Sequence, residues 1–182
     1  ICHECPDRGN QRSVVHGCYR DSRVATIPVA LSRGRNQRDL LTGAAAIVTT
    51  SALSDQVIKR FVPIELSTHI IPNFIDQVDS LLSTPTSPRN WIAMGRFTPE
   101  KGFVELVRDW PDSEALIVVG DGELEGEIKV AAAGKRIEFL SSLPREQLRE
   151  IISQSFGMIF PSRWYESDPQ VVAEAMRVGV PV

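Results

Sequence analysis

The sequence is short of three things. No stretch of its 182 residues stays apolar long enough to cross a bilayer, which takes about 20 consecutive apolar residues. Positive charge is not in surplus: 20 lysines and arginines stand against 23 aspartates and glutamates, for a formal net charge of -3. A protein that tracks a phosphate backbone needs a basic excess, so nucleic acid is not expected as a partner. Cysteine is scarce, with three in all, at positions 2, 5 and 18. Three clustered cysteines and none in the remaining chain fit a cytosolic enzyme. What is present is an ordinary globular composition, 42% hydrophobic and 24% charged, enough to bury a sizeable core. The chain opens on Ile1 and closes on an apolar Pro181-Val182 pair that looks like a strand beginning, and it reads as a fragment cut at both ends.

The apolar runs give the organisation. Residues 44–49, "AAAIVT", read as a short buried strand, and "SALSDQVIKRF" follows as a helix with Ser51 at its N-cap. "THIIPNF" is a second short strand. Residues 76–90 turn polar, with serines, threonines and two prolines, which is a linker composition. The spacing therefore predicts one domain portion over 1–75, a linker over 76–90 and a second domain over 91–182. In that second part, "WIAMG", "ALIVVG", "RIEFL", "GMIF" and "VPV" alternate with helical stretches at 102–110, 123–134, 145–155 and 169–179. Strands separated by helices need crossover connections, so the fold class is α/β with a parallel sheet.

Ligands of such sheets sit beyond the carboxyl ends of the strands. The residues there are Arg96 to Gly102, Asp121 and Gly122, Ser141 and Ser142, and Arg163 to Glu166. Arg96 and Lys101 suit an anion with several oxygens, such as a diphosphate, one as a planar fork and the other as a point charge. Solvated loop charges are the competing reading. Asp168 is placed to cap the last helix with Pro169 at its first position, and helix N-termini bind anions. The amides near Gln170 and Val171 then face the same anion. Glu166 and Glu174 are separated by seven residues. A carboxylate at 174 can accept two hydroxyl hydrogen bonds, as from a ribose, and Glu166 can hold hydroxyls of a sugar beyond the phosphates. Against this, Glu174 could decorate an exposed face, though its neighbours Ala173, Ala175 and Met176 are small or apolar.

"GRFTPEKG", "IVVGDGELEGEI" and "PSRWYESDPQVVAEAMRVGVPV" together resemble the C-terminal domain of family 4 glycosyltransferases of the GT-B fold, also called glycosyl transferases group 1. The closing stretch matches that family's E-x7-E signature, with Glu166 and Glu174 as its acids. The resemblance covers Trp91 to Val182 and extends more weakly upstream through "CYRDSR", "AAAIVTTSALSDQVIKRF" and "HIIPNFID". It implies a Rossmann-like donor domain preceded by the tail of an acceptor-side domain. It implies a UDP-sugar or GDP-sugar donor, a sugar or lipid-linked acceptor, retention of anomeric configuration, no cofactor and no catalytic metal. Arg96 and Lys101 would neutralise the leaving diphosphate, and with Glu166 they form the implied catalytic set. Glu174 would hold the ribose. Glu166 and the backbone of Ser167, Asp168, Pro169 and Gln170, with Val171, would hold the donor, and main-chain groups near Leu140 and Ser141 would face the base. Many relatives carry glycine soon after the first acid; Ser167 and Asp168 stand there in this chain. An epimerase acting on sugar nucleotides and a non-catalytic donor-binding scaffold are the rival readings on the same fold. The implied location is cytoplasmic, with peripheral contact at the inner face of a membrane as an option.

Four features stand apart. Cys2 and Cys5 have C-x2-C spacing and Cys18 follows, with His3 and His16 nearby. These suit a structural zinc site, reduced thiols or a disulfide. His69 reads as structural. Trp164 and Tyr165 either stack on a ligand or form a buried pair. Residues 22–43 form an amphipathic stretch with four arginines, interrupted by Pro28. They are read as a solvated face in preference to a membrane contact.

Overall fold

The computed structural model describes residues 9–61, 66–74 and 90–182. Cys2, Cys5 and the expected linker, save Asn90, lie outside them. The chain divides into two compact units, Ile1–Pro72 and Asn73–Val182.

In the first unit, helix α1 (Gln11–His16) ends at Gly17, whose left-handed φ of 61° closes the turn. Helix α2 (Arg23–Gly43) starts where the Ser22 side chain accepts from the Ala25 amide. It runs through Pro28 without a break. Over its length it is not amphipathic: Val24, Ile27 and Leu31 fall on one face but, like Val29, are exposed. Strand β1 (Ala46–Thr49) pairs in parallel with β2 (Ser67–Ile70) across helix α3 (Ala52–Phe61). Strand β1 is shorter and less buried than expected, with only Thr49 buried, because β2 is its sole partner among the described residues.

The second unit holds a parallel sheet in which β3 (Trp91–Met94) pairs with β4 (Leu116–Val119), and β4 with β5 (Ile137–Leu140). Helices α4 (Phe103–Asp109) and α5 (Glu125–Ala131) form the first two crossovers. The third, α6 (Arg145–Ser153), leads back to the opposite edge of β3. There "GMIF" forms a single parallel bridge, Met158 to Ile92, and not a full strand. Main-chain bonds from Ile92 to Gly157 at 3.0 Å and from Ile159 to Ile92 at 2.7 Å hold it. After helix α7 (Gln170–Arg177), Pro181 accepts from the Met158 amide at 2.8 Å, so the closing residues lie beside 157–159.

Alternation along the strands splits the core into two layers. Ala93, Leu116 and Val118 pack with Phe103, Val107 and Ile128 on the α4–α5 side. Ile92, Met94 and Val119 pack with Ile152 and Ala175 on the α6–α7 side. The chain order reverses between β3 and the 157–159 segment, since β4 and β5 lie on one side of β3 and the later segment on the other. A crevice opens at such a switch point.

Candidate active site

A cleft of about 270 Å³ lies at that reversal. Its walls come from the end of β3 (Met94, Gly95, Arg96), from Lys101 and Phe103, and from the segment Phe160 to Ser162. Glu166, Asp168, Pro169, Gln170 and Val171 complete it. Pro99 begins a short 3-10 turn over Pro99–Lys101 that presents Lys101. Gly102 ends that turn with φ 70°, and a Cβ there would stand 2.3 Å from the Pro161 carbonyl oxygen. The cleft's two walls approach this closely only because residue 102 has no side chain.

Lys101 and Glu166 form an ion pair through Nζ and Oε1, and the Ser162 hydroxyl donates to the same Oε1 at 2.8 Å. Burial acts to raise the Glu166 carboxyl, but the hydrogen bonds from Lys101 and Ser162 outweigh it and hold the group below the usual carboxylate range. Glu100 is likewise held low, first by the Thr98 hydroxyl, which donates to it at 2.7 Å. Lys101 keeps further N–H donors beyond the one given to Glu166, and Glu166 keeps Oε2. Arg96 is exposed at the cleft, and its guanidinium makes no hydrogen bond or ion pair among the described residues.

Asp168 does not cap α7. The N-cap is Pro169, whose carbonyl accepts from Val172 and Ala173, and no side chain caps the helix. The Asp168 carboxylate instead accepts from the Asn73 amide at 2.7 Å, and Asn73 Nδ2 donates to the Asp168 carbonyl at 3.0 Å. The Gln170 and Val171 amides therefore have no capping partner among the described residues, and both residues line the cleft.

Other expected residues lie elsewhere. Glu174 is outside the cleft lining; its side chain is 11% exposed and accepts from Arg145 at 3.3 Å. Leu140 and the exposed Ser141 are not in the lining. Asp121 and Gly122 pack on the main chain of Phe97: the Phe97 amide donates to Asp121 at 2.7 Å. Arg163 pairs with Glu105 and is not in the cleft lining. Trp164 and Tyr165 are exposed, so they are not a buried pair. Cys18 is an exposed free thiol, and the described residues contain no group of three metal-ligating side chains. Sequence reasoning missed Ser162, which stands four residues before Glu166 in a non-helical segment, and Asn73, whose partner is 95 residues away.

Residues 88–182 match the family described as glycosyl transferases group 1, and the chain belongs to that family. No curated protein matches the chain closely enough to be counted a relative. Among solved structures, it is similar to Anabaena Alr3699/HepE in complex with UDP and glucose, at 20% identity and a TM-score of 0.62 over 81% of this chain and 47% of that one. It is similar to a mutant of S. aureus TarM in complex with Fondaparinux, alpha-GlcNAc-glycerol and UDP, at 15% identity and TM-score 0.61, covering 79% of this chain and 30% of that one. The apo lipopolysaccharide outer core galactosyltransferase WaaB aligns at 18% identity and TM-score 0.56 over 77% of this chain and 43% of that one. The fold is thus GT-B in type, and the chain spans less than half the length of these proteins.

Proposed function

We propose that this chain carries the donor site of a glycosyltransferase that moves a sugar from a nucleotide-diphosphate sugar, UDP- or GDP-linked, to a sugar or lipid-linked acceptor. The observation that carries this is the convergence of Arg96, Lys101 and the uncapped amides of α7 on one cleft at the sheet's switch point. In this reading the diphosphate lies on those amides, where the dipole and free N–H groups favour anions. Arg96 and the remaining Lys101 donors meet its oxygens.

As the glycosidic bond breaks, the electron pair stays on the departing phosphate oxygen. Positive groups already in place stabilise that charge without rearranging, which is where most of the rate gain of such sites arises. Fixed cations and helix amides fill the role that a divalent ion fills in metal-dependent transferases, so the reaction is read as metal-independent. Glu166 uses its free Oε2 to accept a hydroxyl of the donor sugar and is not a nucleophile. The acceptor hydroxyl enters on the face of the leaving phosphate, which takes its proton, and the anomeric configuration is retained. Glu174 turns from Arg145 to the ribose diol.

The test is transfer or slow donor hydrolysis with UDP- and GDP-sugars in the presence of EDTA, with the anomer of the first product read by NMR. Retention in EDTA is expected. An inverted product, or activity restored only by a divalent cation, would overturn this reading.

A further inference from the structure

The cleft brings as many negative as positive side chains to its lining: Arg96 and Lys101 face Glu166 and Asp168. An anion binds there only if the carboxylates are engaged elsewhere. Glu166 is engaged by Lys101 and Ser162. Among the described residues Asp168 is engaged by Asn73, which donates twice: its main-chain N–H to the carboxylate at 2.7 Å and its side-chain amide to the Asp168 carbonyl at 3.0 Å. Two contacts, one to the side chain and one to the peptide, fix the rotamer and the backbone of Asp168 together. A single contact would leave either free to turn.

Position 168 makes this matter. It stands immediately before the N-cap residue Pro169 of α7. Aspartate is among the side chains that best satisfy free amides at a helix start. A released Asp168 carboxylate would have the Gln170 and Val171 amides within its local reach and would occupy the place the proposed diphosphate takes. The carboxylate is therefore a built-in competitor, and Asn73 is what restrains it.

We propose that Asn73 is a positioning residue that holds the Asp168 carboxylate off the α7 amides and so keeps the cleft able to bind a diphosphate. This rests on the donor-site reading given above. Its effect is on anion affinity and runs wholly through Asp168, which separates it from a general stabilising role.

The test is calorimetric titration of the folded protein with UDP and with inorganic pyrophosphate, for wild type, Asn73→Pro, Asp168→Ala and the double variant. Proline is used because the bond to the carboxylate comes from the main-chain N–H, which alanine would keep. Asn73→Pro is expected to weaken both ligands by about tenfold, the size of one strong capping interaction. The double variant regains wild-type affinity or better, because the competitor is gone, and Asp168→Ala alone binds at least as tightly as wild type. If Asn73→Pro does not fold, the Asp168→Ala result decides alone. Weakened binding in Asp168→Ala, equal binding in Asn73→Pro, or a double variant as weak as Asn73→Pro overturns the proposal while leaving the donor site standing. Folded wild type that binds neither ligand overturns both. Amide exchange at Asn73, slow in wild type and faster in Asp168→Ala, reports the clasp itself without any ligand.

Discussion

Replacing Lys101 by methionine removes the cation from a pair whose side chains are 22% and 21% exposed. Fully exposed pairs contribute about 0.2–1 kcal/mol, and hydrogen bonds to charged groups about 1.5–3, so a pair at this depth is worth about 1–2 kcal/mol. The Ser162 hydroxyl on the same oxygen argues for the upper half of that range, since it holds the carboxylate in one orientation and lowers the entropy cost of pairing. A double-mutant cycle of Lys101→Met with Glu166→Gln, read by urea unfolding at neutral pH, isolates the pair. The cycle has an acid arm. Glu166 titrates below its ordinary value in the folded protein. The pair's contribution is therefore whole above the unfolded-state value of about 4.3 and is lost as pH falls through the lower folded-state value. Wild type loses this increment on acidification, and Glu166→Gln does not. A coupling energy under about 0.3 kcal/mol, within the additivity of independent sites, would refute the reasoning. So would identical acid slopes in wild type and Glu166→Gln.

Gly102→Ala combines a left-handed φ, costing about 1–2 kcal/mol for a side-chain-bearing residue, with a Cβ driven onto the Pro161 carbonyl. It is expected to lower the melting temperature and also to weaken UDP binding, because relief comes only by parting the cleft walls. Ile152→Ala empties a site that is 0% exposed between α6 and the sheet, and should cost about 2–5 kcal/mol in chemical denaturation. Arg163→Ala removes a cation outside the cleft with a side chain 64% exposed. Its stability change should stay within about 1 kcal/mol, with UDP affinity unaltered in the same titration.

The parallel sheet was legible because each strand of the second unit is a short, mostly apolar run and each crossover a helix-length stretch. Leu116 to Val119 and Ile137 to Leu140 form strands where expected. The fourth run, "GMIF", is apolar too, yet only Met158 is bridged, since run composition says nothing of how many residues a neighbour can pair. In the first unit, the stretch 22–43 looks amphipathic in sequence, but over the whole helix its apolar residues build no buried stripe, and Val24, Ile27, Val29 and Leu31 are exposed. At the cleft, Arg96, Lys101 and Glu166 could be chosen because strand ends and loop spacing put them there. The roles of Asp168 and Glu174 were harder. A helix start preceded by Ser-Asp-Pro looks capped in any sequence. Only the folded chain brings Asn73 to take that carboxylate, and only the packing of α6 beside α7 brings Arg145 to Glu174.

A nucleotide-diphosphate site built on Arg96, Lys101 and the start of α7 is decided by calorimetric titration of the folded protein with UDP and GDP beside Arg96→Ala and Glu174→Ala. One of the two nucleotides is expected to bind, weakened by both substitutions, with Arg96→Ala also weakening inorganic pyrophosphate and Glu174→Ala leaving it unchanged. Folded protein that binds neither nucleotide, or binds one with an affinity indifferent to Arg96, would contradict it.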